Sequence, residues 1–96
     1  MTISEQIDEK HGKDEVVLTV YRSEDNNFTY SLQCHVSRII RAIFPHQLTE
    51  VYSSPQKAKR AAIDTLFDWI KQSRTAKEHL RTFCITDCPY QLEFAF

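Results

Sequence analysis

Glycine is almost missing from this chain: Gly12 is the single one among 96 residues. A loop that cradles a nucleotide phosphate needs glycines to bring backbone N–H groups close to the ligand, so P-loop, dinucleotide-binding and kinase chemistries are excluded together. A GxSxG nucleophile elbow, an HExxH pair and a carboxylate cluster at metal-ligand spacing are also lacking. No stretch approaches the ~20 apolar residues of a membrane span, and the opening MTISEQIDEKHGKDE has no apolar run behind a basic start. These absences lead to the expectation of a soluble, cytoplasmic, non-enzymatic protein that uses no cofactor and no metal and does not engage a membrane.

Cysteine is scarce and odd in number. Of the three, Cys84 and Cys88 are separated by three residues, a spacing that neither zinc fingers nor CxxC redox motifs use. Cys34 alternates with Phe28, Tyr30, Leu32 and Val36 and reads as a small buried hydrophobe. His11, His35, His46 and His79 are dispersed, and nothing in the sequence brings His46 or His79 to Cys84 or Cys88 as a nucleophile–base pair. His35 reads as a solvated side chain.

What is present is an ordinary globular composition, with 42% hydrophobic and 26% charged residues in a length that suits one domain. A domain this short buries well under three quarters of its unfolded surface, so surface binding is easier to support than a deep desolvated site. Residues 1–14 are polar and acidic with no sustained period and read as a mobile N-terminal arm, leaving 15–96 as a single α+β domain. Within it, VVLTVY over 16–21 is rich in β-branched residues. The alternation of Phe28, Tyr30, Leu32, Cys34 and Val36 with Thr29, Ser31, Gln33 and His35 predicts a second strand joined to the first through SEDNN. Residues 37–47 fit either a helical stripe capped by Ser37 or a strand, and Pro45 ends either one. A short strand is expected around Leu48 to Tyr52.

The long helix is expected over 55–73, with Ser53 or Ser54 as its cap and Pro55 in its first turn. Ala58, Ala62, Leu66, Trp69 and Ile70 recur at three- and four-residue spacing and should face the sheet. On the opposite side, Asp64 and Asp68 read as ion-pair partners of Arg60 and Lys71 rather than as a catalytic pair. A second helix, RTAKEHLRTF, turns Ala76, Leu80 and Phe83 inward, and PYQLEFAF alternates as a closing strand. The expected fold is an antiparallel sheet of three to four strands packed on one face by two helices.

Charge is balanced overall but uneven along the chain. Residues 1–15 hold five acids and two bases, whereas residues 38–82 hold nine bases and four acids. Lys57, Lys59 and Arg60 occupy the first turns of the long helix, where the dipole is already positive and each cation costs roughly 0.3–1 kcal/mol unless an anion meets it. With Arg38 and Arg41 they form the candidate patch for an anion, against which the acidic residues 1–15 compete. SSPQKAKRAA resembles the last-strand-to-helix junction of double-stranded-RNA-binding domains, which implies phosphate contacts by Lys57, Lys59 and Arg60. The resemblance covers those residues alone; the glycine-containing loop of that family is missing.

Two functional classes follow. One is a protein-interaction module working by surface complementarity, its interface formed by Tyr21, Thr19, Thr29, Ser31, Gln33 and His35 beside Val17 on the exposed sheet face, with a protein or nucleoprotein complex as partner. Its size and lack of motifs are shared with phage-encoded inhibitors of host complexes, such as anti-CRISPR proteins. The alternative is a nucleic-acid-backbone binder using Arg38, Arg41, Lys57, Lys59 and Arg60.

Overall fold

A computed structural model describes residues 2–45 and 50–84. Four strands run β1 (Thr2–His11), β2 (Asp14–Arg22), β3 (Phe28–Val36) and β4 (Ile39–Ile43), followed by two helices, α1 (Pro55–Ile70) and α2 (Arg74–Leu80). The strands form one antiparallel meander in the order β1-β2-β3-β4, and the helices pack against it to give a small α+β fold.

The turns follow from residues that accept left-handed backbone geometry. Gly12 (φ 61°) sits between His11 and Asp14, where the β1–β2 ladder closes, and Ser37 (φ 56°) serves the equally short β3–β4 turn. Asn26 (φ 59°) shapes the longer β2–β3 connection, where the Asn26 N–H donates to the Ser23 carbonyl at 3.1 Å.

Period-two alternation then separates two faces. Val16, Leu18 and Val20 lie opposite Cys34, Leu32 and Tyr30, and all six are buried on the inner face with Val36. α1 covers them with Ala58, Ala62, Ile63, Leu66, Phe67 and Ile70, the alanines allowing close approach. The Thr65 hydroxyl donates to the Ala61 carbonyl at 2.9 Å and accepts from the Tyr30 hydroxyl at 2.8 Å, so a buried tyrosine oxygen is satisfied at the helix–sheet boundary. α2 adds Ala76 and Leu80, and Phe83 follows it into the same core. Both helices start with a serine cap: Ser54 accepts from the Lys57 N–H at 3.2 Å and Ser73 from the Ala76 N–H at 3.1 Å.

Several expectations need correction. Residues 2–11 form a full edge strand and not a mobile arm. Their inward positions are Glu5, Ile7, Glu9 and His11, so the strand has no apolar alternation to reveal it. Its polar inward groups are met individually, by Lys59 on Glu5 and by the Cys84 N–H on Glu9 at 2.6 Å. The ambiguous segment after Ser37 is strand β4, and Ser37 shapes its turn instead of capping a helix. Trp69 is only partly buried, with the Arg41 guanidinium over its ring at 5.3 Å from the centroid, whereas Ile63, which the expected stripe left out, is a core residue. Of the strand expected around Leu48 to Tyr52, Glu50 and Val51 are not strand and Tyr52 makes only an isolated bridge to Phe28; the rest of it, and the closing strand PYQLEFAF, lie outside the described residues.

Leu66 and Leu32 are fully buried, so Leu66→Ala or Leu32→Ala should cost about 2–5 kcal/mol in urea unfolding, while Gln72→Ala at an exposed position should stay within about 0.5 kcal/mol. A leucine variant as stable as the parent would contradict this core.

Candidate binding surface

With both helices on the inner face, the other face of the sheet is formed by the alternate residues. β2 supplies Glu15, Val17, Thr19 and Tyr21, and β3 supplies Thr29, Ser31, Gln33 and His35. β1 adds Gln6, Asp8 and Lys10, and β4 adds Ile40 and Ala42. The residues expected at a protein interface therefore do share one face. They are not equally available. Gln33 and His35 are exposed, Tyr21 and Val17 are half-buried, and Thr19, Thr29 and Ser31 retain only 2%, 8% and 4% of their surface, which corrects the expectation of an exposed hydroxyl row.

Two of those hydroxyls are tied to longer neighbours. Gln6 Nε2 donates to Thr19 Oγ1 at 3.2 Å, and the Tyr21 and Ser31 hydroxyls are 3.3 Å apart. Thr29 Oγ1 is buried and finds no hydrogen-bond partner among the described residues. Towards the other end of this face, Glu15, Val17, Gln33, His35, Ile40 and Ala42 border an open concavity of about 260 Å³. Ile40 is 72% exposed and projects beside it. This outward role of β4 was not readable while residues 37–47 fitted both helix and strand.

The candidate cations are not gathered. Lys57, at the start of α1, donates from Nζ to Ser53 Oγ at 3.2 Å, and Lys59 pairs with Glu5 of β1. Arg41 belongs to β4, at the other edge of the sheet, and stacks on Trp69. Lys59 and Trp69 are ten residues apart on one helix, so about 15 Å separates these two ends. Arg38 is exposed in the β3–β4 turn. The acidic N-terminal segment does place a carboxylate on the helix start, through Glu5, and this offsets part of the unfavourable charge there.

No group of three or more His, Cys, Asp or Glu side chains among the described residues is arranged to hold a metal ion. Burial raises the pKa of the Cys34 thiol, which disfavours the reactive thiolate. No described helix is long and apolar enough to cross a membrane. No protein-family model matches the chain, and neither a curated protein nor a solved structure matches it significantly.

On the outer face a hydrogen bond with Asp8, reinforced by like-charge repulsion, raises the pKa of Glu15 above its ordinary range. The folded chain thus holds this proton more tightly than the unfolded chain. Its contribution to stability is greatest at low pH and is lost as pH rises through the raised folded-state value. Asp8→Asn should return Glu15 to or below the ordinary glutamate range in an NMR titration and flatten that decline in stability. An unchanged Glu15 titration would contradict the pairing.

Proposed function

We propose that this protein is a non-enzymatic interaction module that binds another protein, or a nucleoprotein complex, through the outer face of its sheet. The observation that carries this reading is one-sided packing. The helices occupy the inner face, and the outer face combines exposed hydrogen-bonding side chains, Gln33 and His35, with an apolar projection, Ile40, around an open concavity. Interface cores join apolar and aromatic anchors to a few polar groups in this way. Tyr21, Thr19, Thr29 and Ser31 act here as the floor of the surface, and Gln33 and His35 as its contacts. A small inhibitor that occludes a host complex, of the kind phages encode, needs no more than such a surface.

Backbone binding to nucleic acid through Lys57, Lys59, Arg60, Arg38 and Arg41 ranks second, because Lys59 is held by Glu5 and Arg41 by Trp69 at opposite edges of the sheet. The double variant Gln33→Arg/His35→Glu alters exposed side chains only. In co-purification from the native host with nuclease present, it should lower recovery of the specific partner by about tenfold or more, a loss of ~1.4 kcal/mol, at an unchanged melting temperature. Recovery of the same partner by the variant would contradict the reading. Binding that disappears with nuclease and weakens steeply with salt would move the function to the cations of α1.

A further inference from the structure

We propose that the outer edge of β4 docks against β4 of a second copy of this chain, antiparallel and centred on Ala42. The β3–β4 turn consists of Ser37 and Arg38 and closes on the Val36–Ile39 pair. A two-residue hairpin turn begins its ladder with a hydrogen-bonded pair, and bonded residues then alternate with residues whose backbone groups face away. Ile39, Arg41 and Ile43 therefore bond to β3, whereas Ile40 and Ala42 turn their N–H and C=O groups outward. Among the described residues no strand pairs with this edge.

The two edges of the sheet are built differently. β1 is laced with Glu5, Asp8, Glu9 and Lys10 and its register shifts between Ile3 and Glu5, the devices by which natural edge strands avoid pairing. β4 reads IIRAI, has no acid, and carries Ile40, the most exposed of the large hydrophobics among the described residues. An edge left apolar while its opposite is charged and bulged marks a place where a strand docks.

The strand's own sequence favours a second copy as that occupant. In a two-fold antiparallel pair each residue meets one equally far from the centre. Centred on Ala42, the outward N–H and C=O of Ala42 exchange bonds with those of its counterpart, and two small side chains meet on the outer face. Ile40 falls across from Phe44, another partly exposed apolar residue. Arg41 falls across from Ile43, so the two cations are kept apart; centring on Arg41 would set like charges directly opposite, which is destabilising. Arg41 is also drawn inward over Trp69, leaving the outward face of the strand neutral. Pairing β4 with β1 of another copy would be head-to-tail and need not close, whereas the β4 pair closes as a dimer.

The full chain should sediment as a dimer at micromolar concentration. Ala42→Pro removes only an outward N–H and should give a folded monomer, as should Ile40→Lys, which leaves the backbone intact. In a Cys84→Ser/Cys88→Ser background, Ala42→Cys should form an intermolecular disulfide, because counterparts in a bonded antiparallel pair have Cα atoms about 5.5 Å apart. Ile40→Cys should not, its counterpart being roughly 14 Å away along the strands. A monomer at micromolar concentration, a dimer indifferent to both Ala42→Pro and Ile40→Lys, or equal crosslinking at positions 40 and 42 would each overturn the proposal.

Discussion

The structure depends on one seam: the inner rows of β2 and β3, Val16, Leu18, Val20, Tyr30, Leu32, Cys34 and Val36, pressed against the apolar stripe of α1. Each aliphatic side chain removed from water there contributes about 1.5–3 kcal/mol, and register cannot slip by one residue without turning the whole set outward. Because both helices pack together on this seam, the sheet is covered on one side only among the described residues. The exposed face and edges result from that asymmetry.

Polar contacts fasten the periphery to the seam. Asp14, at the start of β2, accepts from the Ser37 N–H at 3.0 Å through one oxygen and meets His79 Nδ1 at 2.8 Å through the other. One carboxylate thus joins the β3–β4 turn to α2. Glu9 performs a similar task on β1, meeting His11 Nε2 at 2.6 Å and the Cys84 N–H at the same distance, while the His11 ring packs edge-on to Phe83 with centroids 4.6 Å apart. Exposed ion pairs contribute little each, so these groups set the position of α2 and the edge strand more than they set total stability.

Legibility in the sequence tracked apolar periodicity. β2, β3 and both helices bury residues at clean two- or three-to-four-residue spacing, and their inward faces could be read nearly residue by residue. β1 could not: three of its inward positions are Glu5, Glu9 and His11, which find partners far away in sequence, and no local pattern announces a strand held by long-range polar contacts. β4 was ambiguous because Ile39 and Ile43 satisfy both periods, joined by Ile40 and Phe44 on a helical stripe or by Arg41 on a strand face; only pairing with β3 settles that Ile40 points away from the core. The membership of the outer face was readable from alternation. Its depth was not, since the burial of Thr19, Thr29 and Ser31 depends on neighbours across strands.

A two-layer protein with an open sheet face makes a direct experimental statement about solvent access. NMR relaxation enhancement by a soluble paramagnetic probe measures it at each side chain. The resonances of Gln33, His35 and Glu15 should broaden strongly while those of Leu18, Leu32, Ile63 and Leu66 remain sharp. Protection of the outer-face side chains equal to that of the core would contradict the one-sided packing on which this account of function stands.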